Sequence, residues 1–123
     1  GADASIIAVG AMVSKALEAA RILAAGGIQV AVADMVSVKP LDTELISRLS
    51  STGGPLITAE DHQVTGGLFG AVAEHLSQTV PRLVLPLAVQ DHFGCSGTPE
   101  QVMDRCGLTV NALVNRVKEA LAV

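Results

Sequence analysis

Short apolar runs alternate with segments of helical period along most of this chain, and that alternation is the strongest constraint on its fold. Residues 5–9, Ser-Ile-Ile-Ala-Val, form a β-branched run that stops at Gly10. From Met12 the period changes. Val13, Ala16, Leu17, Ala20 and Leu23 recur at helical spacing, with Lys15, Glu18 and Arg21 on the opposite, solvated face. Gly26-Gly27 offers a glycine for a left-handed helix stop, and residues 28–33 form the next apolar run, ended by Asp34. One helix between two buried strands is the length a right-handed β-α-β crossover needs.

The unit repeats. Asp42 is placed to cap a helix carrying Leu45, Ile46 and Leu49, and Gly53-Gly54-Pro55 closes it. Residues 56–59 form a third strand running into Glu60-Asp61-His62. Thr65-Gly66-Gly67 then opens a helix whose buried side is Leu68, Val72 and Leu76. Residues 82–89 alternate as a strand, and Pro86, lacking an N–H, puts that strand at a sheet edge. Thr98-Pro99-Glu100 starts a short helix ending near Gly107, and a last helix over 110–122 buries Leu113, Val117 and Leu121. The expected fold is therefore α/β: a three-layer α/β/α domain on a mostly parallel sheet of four to five strands, with all 123 residues in one domain.

Composition narrows the function. Half the residues are apolar, 16% are charged, and mean hydropathy is +0.50, so the chain must collapse around a core. Two Phe and no Trp or Tyr leave few aromatic surfaces for stacking bases, and a formal charge of −4 disfavours nucleic acid and anionic membranes. No apolar run reaches the roughly 20 residues that cross a bilayer, which makes a soluble, cytoplasmic protein the expectation. Cys95 and Cys106 lack zinc-ligand spacing and read as reduced thiols.

Open parallel sheets bind ligands beyond the carboxyl ends of their strands. The alternation therefore collects Glu60, Asp61, His62, Asp91, His92 and Phe93 on one rim. His62 and His92 could act as acid-base groups beside those carboxylates, but no nucleophile stands next to them, and a packing role is the better reading. Gly66 and Gly67 open a helix that could present N–H groups to a phosphate. The run matches neither a dinucleotide fingerprint nor a Walker loop, so close helix-to-strand packing is preferred. Cys95 could be a nucleophile with His92 as base, yet Gly94-Cys95-Ser96-Gly97 lacks the strand-turn-helix elbow and reads as a turn. His75 with Glu74 is expected on a solvated helix face.

Four ordered motifs give these segments a family likeness. The opening Ile6-Ile7-Ala8-Val9-Gly10 with Val13-Ser14 and Leu17-Glu18-Ala19-Ala20 resembles the start of the transketolase C-terminal domain. Residues 36–42, the stretch Ala59-Glu60-Asp61-His62 with Gly66-Gly67-Leu68, and residues 91–100 with Gly107-Leu108-Thr109 continue the resemblance. It is closest to the C-terminal part of split bacterial transketolases, with related domains in deoxyxylulose-phosphate synthase and the β subunits of 2-oxo-acid dehydrogenases. The chain departs from the family at Ala11-Met12, where Ser then Glu is usual, and at His92 and Cys95. The resemblance implies a component of a thiamine-diphosphate enzyme that moves two-carbon ketol units between sugar phosphates. Cofactor, divalent metal and catalytic residues would belong to two preceding domains, so no catalytic residue and no cofactor is expected on this chain alone. Its partners would be those domains or subunits, in a homodimeric or heteromeric assembly. The resemblance also implies a five-stranded sheet with one antiparallel strand, the fifth being expected before Gly1 in a domain excised from something longer.

Overall fold

The computed structural model describes residues 2–35, 41–51, 54–63, 67–89 and 107–122, with the side chains of 61–63, 88 and 89 excepted. Four strands, β1 (Ala4–Ala8), β2 (Val30–Asp34), β3 (Leu56–Gln63) and β4 (Val84–Val89), form one parallel sheet in the order β2-β1-β3-β4. Four described helices flank it: α1 (Met12–Ala25), α2 (Thr43–Ser50), α3 (Leu68–Gln78) and α4 (Val110–Leu121). The α/β expectation holds, with four strands among the described residues. The expected helix from Thr98 and both cysteines lie outside them.

Strand pleating divides the interior in two. Ala4, Ile6 and Ala8 of β1 face one way, onto Met12, Ala16, Ala19 and Leu23 of α1 and Leu113, Val114 and Val117 of α4. Ile7 faces the other way, onto Met35, Ile46 of α2, and Leu68, Val72 and Leu76 of α3. Both sheet faces are thus covered, as an all-parallel sheet requires.

The chain punctuation works as its chemistry dictates. Gly27, at φ +90°, donates to Ala24 O at 3.0 Å, and Ile28 N donates to Leu23 O at 2.9 Å, which terminates α1 in a Schellman motif. That motif consumes Ile28, and Asp3 clasps Gln29 (Gln29 N to Asp3 Oδ2, 2.8 Å), so β2 begins at Val30 rather than at residue 28. Asp42 Oδ1 accepts from Leu45 N at 3.0 Å, the expected cap of α2. Among the described residues β4 pairs only with β3, which puts Pro86 at the sheet edge, as expected.

Three expectations about side chains are corrected. Leu17 is 57% exposed, because the buried stripe of α1 runs through Met12, Ala16, Ala19 and Leu23, and Leu17 stands well round the helix from it. Leu121 is 38% exposed; α4 buries Leu113, Val114, Val117 and Ala120 instead. His75 is half-buried rather than solvated, and its Nε2 is buried without a hydrogen-bond partner.

Two further buried hydroxyls, Ser5 Oγ and Thr58 Oγ1, also lack partners. Thr58 is 0% exposed. Replacing it with Val fills the same volume and removes an unsatisfied polar atom. Thr58→Val is expected to raise stability by about 1 kcal/mol, read as a higher denaturant midpoint at unchanged slope. A lower midpoint would contradict the unpartnered hydroxyl.

Candidate functional site

The carboxyl ends of the four strands point to one rim, where sequence reasoning gathered its candidates. At the end of β1, Gly10 turns at φ +57°, a left-handed conformation that lets the chain reverse into α1. Ala11 is exposed there, while Met12 is buried among the α1–α4 residues. Those two positions, where the resemblance leads one to expect Ser and Glu, carry no polar side chain. Asp34, exposed, ends β2.

β3 is longer than its apolar stretch suggested. It extends past Ala59 to Gln63, with an irregular step: Ala59 registers with Leu87, and Gln63 with Val89. Four residues advance on β3 while two advance on β4, as in a bulge. Glu60, Asp61 and His62 therefore lie inside the strand, toward its carboxyl end. Glu60 alternates with Ala59 and faces α3, only 1% exposed.

Burying a carboxylate requires partners, and α3 supplies them. Glu60 Oε1 accepts from Leu68 N at 2.9 Å, and Oε2 accepts from Phe69 N at 2.9 Å. Both are orphan donors of a helix first turn, and the positive end of the helix dipole faces the carboxylate. Gly67 is the N-cap residue of α3, extended at φ −98° and ψ −157°, and has no side chain with which to cap. Glu60 performs that task from eight positions upstream. The structure thus brings together two of the predicted residues, Glu60 and Gly67, and gives them an architectural relation. Two N–H groups of that helix start, those of Leu68 and Phe69, are occupied by an internal anion.

Asp61 and His62 are placed in β3 by their backbone, but their side chains lie outside the described set, as do Gly66, Asp91, His92 and Phe93 altogether. Among the described residues, no group of three His, Cys, Asp or Glu side chains could hold a metal ion. Among the described residues the displaced titrations are on α1: the Arg21 guanidinium, bonded through Nε to Glu18 Oε2 at 3.0 Å, holds the Glu18 carboxyl below its ordinary value and is itself raised. That exposed pair belongs to the outer face of the helix and not to the rim. Among the described residues, no helix is long and apolar enough to cross a membrane. What sequence reasoning missed is the reach of Glu60. The available signal was an uncapped helix start, Gly66-Gly67-Leu68, following an acidic residue at the end of an apolar run.

Comparison with known proteins gives a concordant picture. Residues 1–113 match the family model described as transketolase, C-terminal domain. A 1-deoxy-D-xylulose-5-phosphate synthase of Chlorobium luteolum is 35% identical over 120 residues, which span 97% of this chain and 19% of that protein. The 6-deoxy-6-sulfo-D-fructose transketolase subunit SqwH of a Clostridium species is 38% identical over 119 residues, 97% of this chain and 37% of that one. Among solved structures, a split gene transketolase described as an inactive beta4 tetramer superposes with a TM-score of 0.93 at 45% identity, covering 99% of this chain and 40% of its own. Transketolase from Leishmania mexicana shares the fold, with a TM-score of 0.66 at 21% identity over 98% of this chain and 16% of its own. The chain therefore spans two fifths or less of each of these relatives.

Proposed function

The chain belongs to the transketolase C-terminal domain family, and on that premise we propose that it is the C-terminal domain or subunit of a thiamine-diphosphate-dependent transketolase-type enzyme. In this reading it supports the transfer of two-carbon ketol units between sugar phosphates without carrying out the chemistry. The observation that carries the reading is the use of Glu60. A parallel sheet presents its best anion site at a helix N-terminus above the strand ends, and here the first two free N–H groups of α3 are held by a carboxylate of the chain itself. A diphosphate would meet like charge at that place, and the described residues offer no cluster of metal ligands beside it. Cofactor and divalent metal fit the remainder of a complete enzyme better than this rim. No catalytic step is assigned to this chain.

The partner in this reading is the half of the enzyme that holds thiamine diphosphate, joined covalently or as a separate subunit in a homodimeric or heteromeric assembly, in the cytoplasm. Relatives named as a transketolase subunit and as a split gene transketolase support the separate-subunit form. The similarity to 1-deoxy-D-xylulose-5-phosphate synthases supports a second version, in which the same domain serves a synthase of that type.

Reconstitution tests the reading. The chain alone is expected to show no turnover of a ketose phosphate and no thermal shift with millimolar thiamine diphosphate and magnesium. Added to a thiamine-diphosphate-binding half of a split transketolase, it is expected to co-elute with that half and raise ketol transfer at least tenfold. Failure to bind or activate at tens of micromolar, or turnover by the chain alone, would overturn it.

A further inference from the structure

Composition makes β4 a hazard to the molecule that carries it. Its residues, Val-Leu-Pro-Leu-Ala-Val, are apolar throughout and uncharged, the kind of segment from which edge-to-edge aggregates grow. Among the described residues it pairs on one side only, with β3. Leu56 N donates to Leu83 O at 2.9 Å, so the odd-numbered residues of the strand turn their backbone groups toward β3. Val84, Pro86 and, by the same alternation, Ala88 turn theirs away from it.

The middle of that outward row is closed twice. Pro86 has no N–H to offer an added strand. Its carbonyl could still accept a bond, but Arg116 Nε donates to it at 2.9 Å, from 30 positions further along the chain. The guanidinium is held in turn by Glu119 on the next turn of α4, whose Oε2 accepts from Arg116 Nη1 at 2.8 Å. Helix α4 buries Leu113, Val117 and Ala120 in the core, and Arg116 leaves it on the flank that meets the outer edge of the strand.

We propose that Arg116 is an edge guard: with Glu119 it straps α4 across the outer edge of β4 and, jointly with Pro86, prevents a foreign strand from extending the sheet there. The two residues divide the task, Pro86 removing the central donor and Arg116 occupying the central acceptor. An incoming strand pairs through alternate residues of the edge, so loss of the centre cuts the ladder into separate footholds at Val84 and Ala88. To run past the centre, the strand would have to expel the guanidinium from both of its acceptors. It would then lie against an unpaired positive charge and still gain no donor from Pro86. Stability is not what the strap supplies. The side chains of Arg116 and Glu119 are 30% and 58% exposed, and ion pairs so wet contribute little to folding. What the strap controls is which strands the folded domain accepts. The proposal is independent of the enzyme reading above.

Aggregation of the folded chain tests it, followed by thioflavin fluorescence and light scattering well below the thermal midpoint. Arg116→Met keeps an apolar stem, removes the donors and is expected to grow aggregates about fivefold faster than the parent. The amide of Val84 is expected to exchange slowly within them, because its N–H faces the added strand. Adding Pro86→Val to Arg116→Met restores the central donor and should speed growth further. Ile46→Val, a buried change on the other face of the sheet, controls for lowered stability and is expected to grow no faster than the parent. Growth of Arg116→Met at the parent's rate would overturn the proposal, as would an equal acceleration by Ile46→Val. So would rapid exchange at Val84 within the aggregate, which would place the new contact elsewhere, or no gain from the added Pro86→Val. If Arg116→Met loses its native circular dichroism, Glu119→Gln, an exposed change that releases the guanidinium, decides the matter. It is expected to aggregate about twofold faster with the dichroism unchanged, and an unaltered rate overturns the proposal.

Discussion

Glu60→Gln is expected to lower the stability of this domain by about 2–3 kcal/mol, a fall of roughly 10 °C in the thermal midpoint. The carboxylate is 1% exposed and accepts two backbone N–H groups at 2.9 Å each, so its removal affects β3 and α3 together. An amide keeps the shape and one acceptor oxygen. Its NH2 would face the N–H of Leu68 or Phe69, donor against donor, and the charge that complements the helix end would be gone. Glu60→Asp keeps the charge but withdraws it by one methylene and cannot span both donors, so an intermediate loss is expected. Urea unfolding of the three proteins checks this. A Glu60→Gln protein within 0.5 kcal/mol of the parent would show that the pairing contributes little.

Gly54→Ala is expected to be at least as damaging, about 3 kcal/mol or more, for a steric reason. A Cβ built at Gly54 would lie 2.2 Å from Asp3 O and 2.9 Å from Asp3 C. Both obstacles are backbone, and neither can swing aside. Asp3 is fixed in turn, because its N donates to Gln29 O at 2.7 Å and its Oδ2 accepts from Gln29 N at 2.8 Å. The added methyl would therefore push the start of β3 away from β1, loosening the bond from Ser5 N to Pro55 O. Gly70→Ala is the control: its Cβ would meet nothing within 4 Å, and in a helix Ala is preferred to Gly. The two substitutions are expected to move the midpoint in opposite directions, and equal effects would refute the clash.

Periodicity carried much of this fold. The β-branched runs at residues 5–9 and 28–33, the cap at Asp42, the paired glycines at 26 and 27 and Pro86 each report a local constraint, and each is met within a residue or two. The errors fall where a neighbour decides. Leu17 and Leu121 share their helical spacing with buried residues, but the stripe that is sealed depends on which way α1 and α4 roll on the sheet. Beside Glu74 the sequence points His75 to solvent, whereas α3 turns it inward. At the site, the sequence exposed a concentration of acidic residues at strand ends but not the bulge that carries β3 to Gln63. Without that extension Glu60 looks like a rim acid. With it, the side chain lands under the first turn of α3, a contact eight residues away in sequence that no local pattern encodes.

Ile6 and Ile7 are neighbours by one peptide bond, yet the first packs with α1 and α4 and the second with α2 and α3. The sheet is a partition between two rooms, and adjacent letters of the text furnish different ones. Variation at odd and even positions of β1 can therefore drift separately: what Ile6 tolerates is set by Leu113 and Val117, what Ile7 tolerates by Ile46 and Leu68, and the two histories need not inform each other.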